Sequence, residues 1–299
     1  MKTKILLLLL IGSFLLIGCT SQAKPTKPII AVTSYPLYDF TKNLINEDDF
    51  ELWLMLPAGL NAHSYEPTPS DLTKLSHSEV FIYTNNNFEF WANRTARSVN
   101  NPNLLIIQAA SQVKFVKPAD ETLGPIDPHT WLSPKTAQLH VKEISEKLIA
   151  KYPEKADSIR QKTATYEAKL VQLDQMYSNT TINCVHREMF VSHAAFGYLS
   201  KDYNLTQIPI VKNFDPQGEV SLADLRHVID AAKERNATHI FFEDFISPKL
   251  SESVAREING TTAIFSPMEA YSQSQLLNDS YFGVMNRNLN TLSEALICG

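Results

Sequence analysis

From residue 28 onward, short apolar, β-branched runs alternate with stretches whose apolar positions recur at helical spacing. The runs at 28–33, 50–55, 80–83 and 104–107 read as strands, with helices at 37–45, 70–76 and 88–97 between them. A second series places strands at 189–191, 207–211, 239–242 and 262–265, and helices at 194–203, 221–235, 247–258 and 281–296. Between the two series, 134–178 keeps a helical pattern past Ala137, Val141, Ile144, Leu148, Ile159, Tyr166, Leu170 and Leu173, with Pro153 the only strong interruption. So long a helical run is unusual inside a compact α/β unit. The pattern therefore predicts an α/β protein of two similar lobes, 28–133 and 179–299, joined by a single long helix over 134–178 with a kink or break near Pro153.

The first residues follow a different pattern. Lys2 and Lys4 precede an uncharged apolar run at 5–17 that is too short for a comfortable membrane span, so 1–18 reads as an export signal. The run ends in Leu16-Ile17-Gly18-Cys19, which resembles the bacterial lipobox. On that resemblance Cys19 is acylated and becomes the first mature residue, and the polar, Pro25-containing segment 19–27 tethers a folded body to the membrane. The alternative is an ordinary signal peptide that carries Cys19 away with it. No later stretch is long and apolar enough to cross a bilayer.

Composition narrows the function classes. With 44% hydrophobic and 20% charged residues in 299, the chain is neither disordered nor fibrous. A formal charge of -5 and the lack of a basic cluster argue against a nucleic-acid partner. Cys184 and Cys298 are an even pair in an exported chain, where they either form a disulfide or remain free thiols. Their wide separation makes a cysteine metal site the weakest reading.

Five of the eight histidines have bland positions. His77, His140, His227 and His239 fall within helices or at a strand start without a second ligand at local spacing, and His186 precedes Arg187 and Glu188 in a loop. His63, His129 and His193 instead sit beyond strands or at a helix head, where loops of open α/β sheets gather ligand sites. They are too far apart for a finger or a His-Glu-x-x-His motif, so any shared site is assembled by the fold from both lobes.

The local strings are Pro57-Ala58-Gly59-Leu60-Asn61-Ala62-His63-Ser64-Tyr65-Glu66-Pro67, then Asp127-Pro128-His129-Thr130-Trp131-Leu132-Ser133-Pro134, then Ser192-His193-Ala194-Ala195-Phe196-Gly197-Tyr198. In order and position they resemble the motifs of the zinc- and manganese-binding solute-binding lipoproteins of ABC transporters, over essentially the whole chain. That resemblance implies a metal bound in the interlobe cleft by His63, His129 and His193, and delivery to an ABC permease. It also implies a carboxylate fourth ligand late in the second lobe. Ser266 stands where the family commonly has aspartate, and Phe265-Ser266-Pro267-Met268-Glu269 resembles the branch in which Glu269 takes the role.

Three imidazoles and one carboxylate suit Zn²⁺ better than Mn²⁺. Four protein ligands leave no position for an activated water, so capture fits better than catalysis. The expected protein is a monomeric, lipid-anchored, extracytoplasmic zinc-binding protein and not an enzyme. Its rivals are a manganese-binding protein of the same family, a metal-stabilised surface adhesin and a zinc hydrolase. Glu243 and Asp244 are alternative fourth ligands, although helix capping or solvation is the simpler role for them. Asp127 and Glu66 are candidate imidazole acceptors with the same plain alternative. Trp131 and Tyr198 are read as core packing.

Overall fold

The computed structural model describes residues 27–117, 126–216 and 220–299. The expected export signal and Cys19 lie outside them, as does most of the expected tether. Strands β1 (Ile29–Val32), β2 (Glu51–Leu54), β3 (Val80–Tyr83) and β4 (Leu105–Gln108) form one sheet in the order β2-β1-β3-β4. Strands β5 (Glu188–His193), β6 (Thr206–Val211), β7 (His239–Phe242) and β8 (Thr261–Ile264) repeat that order as β6-β5-β7-β8. Every pairing is parallel, which demands cover on both faces and explains the continuous apolar runs, such as the fully buried β3. In each sheet the winding reverses beside its first strand, and a ligand crevice is expected beyond the carboxyl ends of the strands there.

Helices α1 (Tyr35–Leu44), α2 (Pro69–Ser76) and α3 (Ala92–Ser98) belong to the first lobe. The predicted run 134–178 is divided: α4 (Pro134–Lys151) stops before a 3₁₀ turn at Pro153–Lys155, and α5 (Ala156–Thr181) starts again after it. Pro153 lacks the N–H that would continue the ladder, and its ring crowds the preceding turn. The two helices pack side by side, and both touch α1 and the second lobe: α4 meets the helix at Gly197–Asp202 and α5 the helix at Tyr281–Ala295. Both helices thus bridge the lobes, and α5 leads on into the second sheet. The second lobe carries α6 (Gly197–Asp202), α7 (Leu222–Glu234), α8 (Lys249–Glu257), α9 (Gln273–Asn278) and α10 (Tyr281–Ala295).

Buried aromatic rings fasten α5 to both lobes. Phe40 of α1 meets Tyr166 of α5 and Tyr281 of α10 edge-on, with centroids 5.9 and 4.9 Å apart. Each such pair adds roughly 0.5–1.5 kcal/mol beyond burial. The Tyr166 hydroxyl donates to Asp39 Oδ1 at 2.6 Å, so its polar end is satisfied inside the core. Cys184 and Cys298 are joined by a disulfide beside a short pairing of 185–186 with 296–297, which ties the chain end to the loop after α5.

Loops of the two lobes also interlock directly. Gly59, at φ 81°, lets the loop after β2 turn so that its N–H donates to Tyr271 O at 2.8 Å. Tyr271 stacks on Tyr35 with centroids 5.8 Å apart and donates its hydroxyl to Leu56 O. Trp131 Nε1 donates to Pro267 O, and Tyr281 donates to Trp131 O, both at 2.8 Å. These bonds hold the His129 loop of the first lobe against the Glu269 loop of the second.

Candidate metal centre

His193 is the last residue of β5, His63 lies in the loop after β2, His129 in the loop that enters α4, and Glu269 in the loop after β8. All four converge between the lobes at carboxyl ends of strands. His129 and His193 are 0% exposed, Glu269 3% and His63 9%. Glu269 Oε1 lies 2.8 Å from His129 Nε2, 3.0 Å from His193 Nε2 and 3.7 Å from His63 Nε2. The Nε2 atoms of His63 and His129 are 3.3 Å apart. A tetrahedral ion with bonds of about 2.1 Å holds its ligand atoms about 3.4 Å apart, so the cluster needs only small shifts to admit one.

The Glu269 turn is built by clamps at its start. Asn288 of α10 accepts from Ser266 N at 2.9 Å and donates to Ser266 O at 2.8 Å. The Ser266 hydroxyl accepts from Met268 N at 3.3 Å, which turns it away from the histidines. Met268 adopts φ 57°, and this left-handed residue swings the following Glu269 into the cluster. That geometry explains how a glutamate three residues after Ser266 reaches the histidine cluster.

Acceptors behind two of the rings direct their Nε2 atoms inward. Asp127 Oδ1 takes His129 Nδ1 at 2.8 Å and His129 N at 2.9 Å. Glu243 Oε1 takes both His193 Nδ1 and the Ser192 hydroxyl. The capping or solvated roles that sequence favours for these acids do not hold, because both are 2% exposed and face imidazoles. Glu66, by contrast, is exposed, and Asp244 lies at the edge of the cleft outside the cluster. Trp131 and Tyr198 are buried as expected, and Tyr198 also donates to Asp127 O at 3.1 Å. Phe88 stands edge-on to His63 at 4.5 Å and Phe214 lies 5.8 Å from His129, so rings wall the histidines from water.

Electrostatics follow from this packing. Burial alone would depress the His193 pKa, but Glu243 and Glu269 outweigh it and push it up to about 10. His129 is likewise raised: burial lowers it, while Asp127 and Glu269 more than compensate. Burial would raise Glu269, yet the charge of His193 and hydrogen bonds from the three histidines hold it well below the usual carboxylate range. Without a metal, His193 is protonated at neutral pH. Elsewhere, His140 is buried and packed edge-on to Phe40 at 6.1 Å, and burial lowers its pKa to about 3, a neutral packing role.

Gly197 matters to this support. It opens α6, and a Cβ there would overlap Asp127 Oδ2 and lie 3.3 Å from Asp127 Cγ. Gly197→Ala should therefore displace Asp127 and weaken metal binding by about 10–100-fold, the usual cost of losing an acceptor behind a ligand histidine. In an Asp127→Ala background the same change should cost much less. Competition titrations of both single variants and the double variant check this; equal losses in both backgrounds would refute the coupling.

A family model described as zinc-uptake complex component A, periplasmic, matches residues 30–295. The chain belongs to the ZnuA family. It is 30% identical over 290 residues to the high-affinity zinc uptake system protein ZnuA of Bacillus subtilis strain 168, covering 93% of this chain and 90% of that protein. It is also 30% identical to the zinc-binding protein AdcA of Streptococcus pyogenes serotype M1, over 98% of this chain but only 61% of AdcA's length. The structure matches that of the Zn(II)-bound ZnuA-like domain of Streptococcus pneumoniae AdcA with a TM-score of 0.79 at 30% identity, covering 91% of this chain and 99% of that domain. A ZnuA-family fold of two parallel-sheet lobes is thereby shared across the described body.

Proposed function

We propose that this chain captures one Zn²⁺ outside the cytoplasm through His63 Nε2, His129 Nε2, His193 Nε2 and Glu269 Oε1, and delivers it to the permease of an ABC importer. The observation that carries this reading is the convergence of three imidazole nitrogens on one carboxylate oxygen in a buried interlobe centre. The zinc roles of its ZnuA and AdcA relatives support it.

Zn²⁺ favours four-coordinate nitrogen-rich sites, whereas Mn²⁺ favours more oxygen ligands and higher coordination. With four protein donors no position is left for an activated water, so the site serves capture and release, not hydrolysis. Competition of Zn²⁺ and Mn²⁺ against a chromophoric chelator tests the choice of ion: one equivalent of zinc bound far more tightly than manganese is expected. Tighter manganese binding would overturn it.

Membrane attachment in this reading runs through acylated Cys19, and among the described residues no helix is long and apolar enough to cross a membrane. Cys19→Ser should move the protein from the membrane fraction to the soluble one. Unchanged fractionation would exclude the lipid anchor.

A further inference from the structure

The second oxygen of Glu269 is engaged by a residue that no motif reading singles out. Asn61 Nδ2 donates to Glu269 Oε2 at 2.8 Å, and Asn61 Oδ1 accepts from His63 N at 2.8 Å. The amide orientation follows from its partners, because a backbone N–H can only donate and a carboxylate can only accept. Asn61 comes from the first lobe and Glu269 from the second, so this side chain couples the His63 loop to the carboxylate across the cleft.

From this geometry we infer that Asn61 sets the metal selectivity of the centre by keeping Glu269 monodentate. The inference rests on the metal-capture reading above. Glu269 Oε1 faces the three Nε2 atoms, while Oε2 is turned to the Asn61 amide. An ion entering the cluster meets three nitrogens and one oxygen. A second carboxylate oxygen would raise the coordination number and the share of hard oxygen donors, both of which favour Mn²⁺ relative to Zn²⁺.

The space beside Asn61 strengthens the case. A cleft of about 130 Å³ opens there, lined by Asn61, Ser64, Asp244 and Glu269 among others. Its lining is about half polar, and it is roomy enough for water. Asn61 and Glu269 line this cleft side by side, so freeing the far oxygen of Glu269 lets the carboxylate rotate and lets water approach the ion.

Two substitutions separate selectivity from simple support. Asn61→Asp is nearly isosteric and keeps the acceptor for His63 N, but removes the donor to Oε2. Asn61→Leu removes both without adding charge. In each, Zn²⁺ and Mn²⁺ affinities are measured by chelator competition in one buffer, and the zinc coordination number by X-ray absorption on the zinc-loaded protein. In both variants the zinc-to-manganese affinity ratio is expected to fall by at least about tenfold, within the range for outer partners of ligands, and zinc coordination to rise above four. A uniform loss of affinity for both ions, with the ratio unchanged, would reduce Asn61 to structural support and overturn the inference while leaving zinc capture intact. Absence of bound zinc in the unsubstituted protein would overturn the capture reading and this inference together.

Discussion

Replacing His129 or His193 with alanine is expected to weaken zinc binding by about two to three decades. Structural zinc in zinc-finger peptides at neutral pH is held by roughly 10–16 kcal/mol, which shared over four ligands is roughly 2.5–4 kcal/mol each, and about 1.4 kcal/mol is tenfold. These two histidines are fully buried and each is backed by its own acid, so their loss also leaves Asp127 or Glu243 buried without its imidazole. His63→Ala is expected to lie at the lower end, since that ring is partly exposed and farthest from Glu269 Oε1. Glu269→Ala removes the only anionic donor of the proposed set and should rank with the buried histidines. Chelator competition across the four variants gives the order directly, and a histidine variant that binds zinc as the unsubstituted protein does would remove that residue from the site.

Zinc binding is also expected to expel at least one proton at pH 7, from His193, with the raised His129 contributing in the same direction, and so to weaken steeply in acid. Both groups are raised in the metal-free protein, His193 to about 10, and both must be neutral at Nε2 to bind a cation. Each displaced proton changes the apparent affinity by about tenfold per pH unit while its group remains protonated. The sign for stability runs the other way. A raised histidine pKa stabilises the metal-free fold fully below the unfolded value near 6.5, and that contribution fades as pH rises through the folded value. Glu269, held low, stabilises above its unfolded value near 4.5 and loses this only in acid. The zinc-induced rise in melting temperature should therefore be larger at pH 8 than at pH 6. Calorimetric titration in buffers of different ionisation enthalpy counts the protons, and a buffer-independent heat would contradict this charge state.

Much of the fold is legible in the chain because parallel strands buried on both faces are apolar along their length, as 29–32 and 80–83 are. The helical run over 134–178 is equally plain, but periodicity does not say whether Pro153 bends a helix or lets it fold back, which packing of α4 on α5 decides. Helix α9 escapes notice because it is short and polar, held by a capping box between Ser272 and Gln275.

The proposed ligands are legible through their strings, and the residues that aim them only in part: Asp127 stands out as a candidate acceptor beside its histidine, and Glu243 does not. An acid after a strand, such as Glu243, looks the same in sequence whether it caps a helix, meets solvent or holds an imidazole. Only the register of β5 beside β7, which brings Ser192 and His193 alongside it, distinguishes these roles. Asn61 and Asn288 carry no sequence signal of their own, because each acts through partners distant in the chain.

The most direct measurement is a crystal structure of the zinc-loaded protein with anomalous data collected on either side of the zinc edge. One anomalous peak within about 2.0–2.2 Å of His63 Nε2, His129 Nε2, His193 Nε2 and Glu269 Oε1 is expected, with no water in the coordination sphere. A peak elsewhere, or an ion at this centre that leaves one of the histidines unbound, would contradict the proposed site.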